Sequence, residues 1–477
     1  MENPLHTQNA LSLKELTRRN AAILLWQQNI HLLPKFHLGK EYLELTTKDW
    51  NRLINKVKNK IPELQLVRSE AKEVELFIKP ICFEIVKWVS YNDFNFFQNC
   101  ADFVYCLDVL SWSSEGTINY KKTAENLVRL KPFDRRFLYE YACEFCLEDE
   151  VEITWKNLSD EEKAMYSEKM QSRTPQGQIL HHWTKHFDYE METHDMIFSA
   201  CYDAATKGNL VATQYFFPKL ENDQRKLTVQ VLPGLADGYS FSLPIEPVYC
   251  SLGHNRDILD YLLTRLTFEE FMEFFETHYQ DILSCYTDWN RQNKFFKILE
   301  KVRSSLPPEF YADLLSSIVG NMDTPVYNYQ SFFREFFLKS PLADGTLDLK
   351  TQCPQTFYFS DLFLAGDIEN IVFVLRNLSS ATKEQLFTSD SGLYICLALI
   401  FKDEWALLQL FITECKLSID VRSEIPEKFQ LYITEKNYHK QIIILDTKLE
   451  RFFNMLLPTE EIDHSKQKSE EEKESPK

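Results

Sequence analysis

The chain has 477 residues, 71 acidic against 53 basic, for a net charge of −18, with 44% hydrophobic and 14% aromatic residues. That length exceeds one ordinary compact core and points to two or three domains or to one elongated array. The acidic balance, without a concentrated stripe of Lys and Arg, argues against a nucleic-acid surface, which needs cations to displace counterions.

Glycine is scarce, at 11 residues. Rossmann-like and β-rich chains use glycine in phosphate loops and tight turns, so an all-α fold is expected. The 11 cysteines are spread thinly and mostly sit among apolar neighbours, as Cys201, Cys285 and Cys396 do. That is the pattern of reduced, buried thiols in a cytoplasmic protein. The chain does not open with a basic segment and an apolar run, so no signal peptide is expected. Its longest apolar stretch, 393–401, is far short of the roughly 20 residues that span a bilayer, so no membrane partner is expected.

Residues 1–78 read as a helical opening. One amphipathic run carries Ala21, Ile23, Leu24 and Trp26; a second carries Trp50, Leu53, Ile54 and Val57; Pro34 and Pro62 punctuate them. Residues 79–170 form a first helical repeat region, with apolar stretches at 81–88 and 94–110 and a helical hairpin over 137–147 and 151–158. Residues 171–190, with Thr174-Pro175 and Gly177, read as a loop or insertion. Residues 191–457 form a second repeat region, and 458–477, with few apolar residues and many charges, a disordered tail.

Four segments align without gaps: 146–158, 208–220, 254–266 and 366–378. Each leaves an apolar helix-like stretch through a polar corner. Each then places a large side chain at Trp155, Phe217, Leu263 or Leu375 and a leucine at Leu158, Leu220, Leu266 or Leu378. Gly208 and Gly366 suit the left-handed residue that ends a helix. After three of these leucines stands a hydroxyl, at Ser159, Thr267 or Ser379, and two of the hydroxyls precede Glu162 and Glu270 as capping boxes. A third helix therefore starts there, and on one of them Phe268, Phe271, Met272 and Phe275 make one apolar face. Pro307-Pro308 marks a similar helix start after Leu306. A further hairpin is expected over 393–401 and 405–413, turning at Lys402-Asp403-Glu404.

Ala204-Ala-Thr-Lys-Gly208-Asn-Leu-Val-Ala-Thr-Gln-Tyr-Phe-Phe217 resembles the helix–turn–helix of an ankyrin repeat. Leu364-Ala-Gly-Asp-Ile368, Gly253-His254 with 257–263, and 405–411 resemble it as well. The Thr-Pro-Leu-His start of that family is absent, and the leucines recur at uneven intervals wider than its roughly 33 residues. The resemblance implies an irregular α-solenoid of ankyrin-like helix–turn–helix units with extra helices. It also implies a protein-binding scaffold with contacts on its concave face. Corner residues Asn209, His254, Asn255, Arg256, Asp367 and Glu369 are the candidate partner contacts. The opening run, from Ser12 through Trp26, also resembles helical-repeat proteins of arthropods such as spiders, which implies no function.

Chemistry is thinly marked. His182 and His186, in the segment His181–His194, lie four apart and would share a helix face. A metal-dependent protein using that segment is one alternative, but no His-Glu-x-x-His pattern or nearby Cys supports it. Cys143 and Cys146 lack a second pair and read as helix-interior residues. Phosphate-loop, dinucleotide and nucleophile-elbow motifs are absent, so neither cofactor nor enzymatic activity is expected. A lineage-specific structural protein without a defined ligand is the other alternative.

Overall fold

At Gly208 and Gly366 the backbone turns left-handed, with φ of 78° and 68°, and the chain leaves one helix to enter the next. The computed structural model describes residues 12–29, 47–92, 107–130, 133–169, 177–189, 193–230, 249–287, 291–320, 330–341, 343, 357–436 and 446–456. Among them lie 23 α-helices and no strand, so the fold is all-α as expected. An isolated bridge between Trp112 and Ile118 closes a short turn. The chain divides into a first unit, Met1–Leu306 with Met322–Asn328, and a second, Pro307–Asn321 with Tyr329–Lys477. That division falls inside the single repeat region expected over 191–457.

Four corners share one backbone geometry. The left-handed residues are Cys146, Gly208, Gly366 and Asp403. Each donates its N–H to the carbonyl three residues back, and the next residue donates to the carbonyl five back, at 2.8–3.3 Å. This Schellman pair satisfies carbonyls that a helix end would otherwise leave orphaned. Cys146 is therefore a buried corner residue, not a helix-interior one. A left-handed non-glycine residue costs roughly 1 kcal/mol, so tertiary packing must hold Cys146 in place.

After each corner a second helix begins. Asn209 and Asp367 cap it through side-chain oxygens that accept from the N–H of Ala212 and Asn370. In helix Ile368–Asn377, Ile371, Val374 and Leu375 fall on one face and are fully buried. Burying each contributes about 2 kcal/mol. Trp155, Phe217, Leu263 and Leu375 are all buried, and so are the four leucines after them. Leu158, Leu220 and Leu378 each turn extended and end the helix. The capping boxes then start the third helices: Ser159 exchanges hydrogen bonds with Glu162, and Thr267 with Glu270. Phe271 and Phe275 are buried, and Phe268 and Met272 half-buried.

The third expected corner is absent. Helix Tyr249–Leu263 runs unbroken through Gly253, His254, Asn255 and Arg256. Gly253 stands one position before the register point, and glycine within a helix costs only about 1 kcal/mol. Continuing the helix satisfies the groups that a corner must cap.

Two other boundaries and one helix face differ. Helix Arg68–Asn92 crosses the expected division at 78/79. Helix Gln178–Tyr189 occupies much of the stretch read as a loop or insertion. Asp203 caps it, its carboxylate accepting the Gln178 N–H at 3.2 Å. In helix Leu13–Asn29 the buried face is Ala22, Ile23, Leu25 and Trp26, while Leu24 is exposed. The expected apolar run over 94–106 and the expected tail from 458 lie outside the described residues.

In the second unit Ser389 both ends helix Ser380–Thr388 and caps helix Asp390–Phe401, accepting from the Gly392 N–H. A Cβ at Gly392 would run into the carbonyl oxygens of Leu386 and Phe387, so only glycine fits this close approach. Helix Asp446–Leu456 closes on the last corner. Lys448 pairs with Asp403 at 2.7 Å, and Arg451 lies 4.1 Å from the Trp405 ring centre.

Candidate functional site

The first corner and the second are stitched through Asn209. Its amide donates to the backbone carbonyl of Glu144 at 2.7 Å and to Oε1 of the same residue at 2.9 Å. Tyr91 donates its hydroxyl to that Oε1 at 2.8 Å. Burial pushes the Glu144 carboxyl up, while the Tyr91 hydroxyl, the Lys207 charge and the Asn209 amide pull it back. Lys207 itself pairs with Asp203 at 2.8 Å. Asn209, expected as a partner contact, is only 2% exposed and holds two corners together. Its side-chain hydrogen bonds are made inside the fold, which corrects the surface role.

The second-unit corner is partly different. Asp367 is half-buried and spends both carboxylate oxygens on Asn370, accepting from its N–H at 3.1 Å and from its side-chain amide at 2.7 Å. Arg334 donates to Asn370 at 2.7 Å and to Glu369 at 3.1 Å. Glu369 keeps 74% of its side chain in solvent. Arg256 is half-buried in helix Tyr249–Leu263, and its carbonyl accepts from Cys285 Sγ. The side chains of His254 and Asn255 lie outside the described residues.

A partly buried ionic network occupies the first unit where the third corner was expected. Asp257 accepts from Lys87 and Arg291. Asp260 accepts from Tyr286 at 2.9 Å and from Lys294 at 2.7 Å. Lys87 and Arg291 keep only 5% and 6% of their side chains exposed. Burial works to neutralise the Lys87 ammonium, but the carboxylates of Asp257 and Glu84 more than offset it and raise its pKa. Such a network fixes three elements relative to one another: helix Arg68–Asn92, helix Tyr249–Leu263 and the start of helix Gln292–Val302. Sequence reading missed it because Lys87 and Asp257 are 170 positions apart.

Of the histidine stretch, His182 belongs to the core, while His181 and His186 are half-buried. His182 is 2% exposed, with its ring edge-on to Phe216 at 4.8 Å. Its ring lies parallel to that of His186, with centroids 6.3 Å apart. Burial pushes the His182 imidazole down to about 4, and Lys219, His186 and His181 act in the same direction. His194 is exposed, 3.7 Å from Glu221. Among the described residues no group of three or more His, Cys, Asp and Glu is placed to hold a metal ion. Glu190 and Glu192 lie outside them. Among the described residues Cys82, Cys143, Cys146, Cys201, Cys285, Cys396 and Cys415 are buried thiols, and burial pushes the Cys201 thiol up to about 12. Burial likewise raises the thiols of Cys82, Cys143, Cys146, Cys396 and Cys415, opposite to the lowering that activates a nucleophile.

Among the described residues no helix is long and apolar enough to cross a membrane. No family model, curated protein or solved structure matches the chain.

Proposed function

We propose that the protein is an intracellular scaffold that binds another protein and performs no catalysis itself. In this reading each unit is a stretch of irregular α-solenoid, built of ankyrin-like helix–corner–helix units with added helices. The observation that carries it is the recurrence of one corner geometry at Cys146, Gly208, Gly366 and Asp403. Repeats of this kind bury their faces on neighbours and leave a continuous outer surface for binding. The polar groups described above support the same reading, because they are spent on stitching neighbouring helices and capping helix ends. Glu369 is the corner residue best placed for a partner.

Affinity purification of the full chain from native lysate at physiological salt, followed by cross-linking, tests this. The expected result is a stoichiometric protein partner whose cross-links map to exposed helix or corner residues. Recovery of the chain alone would remove the reading's main support.

A further inference from the structure

Between residues 52 and 79 the sequence interleaves seven Lys and Arg with four Glu. The fold sorts them. Helix Thr47–Lys58 lies along helix Arg68–Asn92, tied by Lys58 to Glu75 at 2.8 Å. Helix Leu13–Asn29 packs on the other flank, where Arg18 meets Glu70 at 2.8 Å and Glu73 at 3.3 Å. Lys14 reaches Glu70 at 2.9 Å, and Lys60 reaches Glu63 at 2.8 Å. Arg18 and Lys14 together hold the Glu70 carboxyl down to about 2. All four glutamates are thus matched within the fold.

The cations left over face solvent. Arg68 and Lys72 are four apart and exposed, on the side of their helix opposite buried Val74, Ile78, Ile81 and Ile85. Arg52 and Lys56, also four apart, are exposed on the neighbouring helix, opposite buried Leu53, Ile54 and Val57. Among the described residues none of these four cations is in an ion pair. Leu76 continues the stripe of Arg68 and Lys72 by one turn and is 45% exposed. Leu66 and Val67, just before Arg68, are 39% and 66% exposed. No glutamate interrupts the stripe, because Glu70, Glu73 and Glu75 fall on the two flanks of the helix.

Charge complementarity selects an anionic partner for this face. The exposed leucines and valine among the cations select one that also carries apolar side chains. Screening sets its size, because charges act over about 8 Å at physiological salt. A short segment laid here meets only the local cations. A lipid surface or a nucleic-acid duplex would extend past them over a chain of net charge −18.

We infer that this face docks an acidic amphipathic segment of a partner protein. Its carboxylates would meet Arg52, Lys56, Arg68 and Lys72, and its apolar side chains would pack against Val67 and Leu76. The inference rests on the scaffold reading and gives its partner a chemistry. In sequence the face is hidden, because Glu63, Glu70, Glu73 and Glu75 dilute its charge until the fold pairs them.

The probe is a synthetic amphipathic peptide of Leu and Glu, about five helical turns long, with a Leu and Gln counterpart and phosphatidylserine vesicles as a second arm. Titration calorimetry on the full chain at physiological salt is expected to show saturable one-to-one binding of the Glu peptide. The Gln peptide should bind at least tenfold more weakly, and the vesicles not at all. Arg68→Glu and Lys72→Glu should each weaken binding of the Glu peptide about tenfold, and Leu76→Ser severalfold. Lys156→Glu, an equal charge change on an exposed residue elsewhere in the first unit, should leave binding within twofold. Thermal melts of each variant separate lost docking from lost folding. Failure of the Glu peptide to bind overturns the inference. So does equal binding of the Glu and Gln peptides, or equal weakening by Lys72→Glu and Lys156→Glu. Vesicle binding that Lys72→Glu abolishes, without peptide binding, replaces the partner segment with a lipid surface. The scaffold reading falls separately, when the full chain recovers no stoichiometric partner from lysate.

Discussion

The Asn209 side-chain amide donates to the Glu144 backbone carbonyl at 2.7 Å, while its oxygen accepts from the Ala212 N–H at 3.0 Å. One residue thus caps its own helix and satisfies the preceding corner. Asn209→Ala removes both, costing about 1 kcal/mol for the cap and another 1–3 for the buried carbonyl. Urea unfolding should register a loss of about 2–4 kcal/mol. Asp367→Ala, in a half-buried corner, should lose nearer 1 kcal/mol. Equal losses at both positions would show that the inter-corner bond carries no weight.

The two capping boxes start different helices and have no hydrogen-bond partner in common. Ser159→Ala and Thr267→Ala should each cost about 1 kcal/mol, and the double variant their sum within about 0.5. Hydrogen exchange should quicken first at the amides of Glu162 and Glu270, which donate to these hydroxyls. Unchanged exchange at both amides would refute the assignment.

Asp257 stands between two buried cations. Asp257→Ala leaves Lys87 and Arg291 without their shared carboxylate and should destabilise the first unit by about 3–5 kcal/mol. The exposed pair of Lys156 and Glu152 is the contrast, and Lys156→Ala should change stability by less than about 0.5 kcal/mol. Denaturation midpoints of the two variants measure the difference. Similar midpoints would mean that the network is solvated in solution.

His182 makes stability depend on pH. Its folded pKa is depressed to about 4, against about 6.5 in an unfolded chain. The neutral ring is therefore tolerated above pH 6.5, and the stability it permits is lost as pH falls from about 6.5 toward 4. The loss is on the order of 3 kcal/mol across that window. Urea unfolding at pH 7.5 and pH 5 should show a larger drop for the native chain than for His182→Gln. Parallel pH profiles for the two proteins would contradict a buried, neutral His182.

Local signals were legible where chemistry and geometry lie within a few residues. Gly208-Asn209 and Gly366-Asp367 name a left-handed residue and a capping side chain in succession, and both corners form. Ser159 with Glu162 and Thr267 with Glu270 form both halves of their boxes. The same logic failed at Gly253, because a lone glycine permits a corner without requiring one. It also misplaced Asn209, whose residue type suits a solvated turn and a buried stitch equally well.

What the amino-acid order determined by itself was the all-α class, the helix ends at Gly208 and Gly366, the capped helix starts after Ser159 and Thr267, and the register of buried Trp155, Phe217, Leu263 and Leu375. These follow from backbone capping and apolar periodicity, which act over one or two helical turns. Only the tertiary structure decided that Asn209 faces Glu144, that Asp257 joins Lys87 to Arg291, and that His182 is core. It also decided that Leu66 and Leu76 are left outside. Those outcomes depend on which helices pack together. That choice is set by the summed burial of many side chains, and no short stretch of sequence contains it.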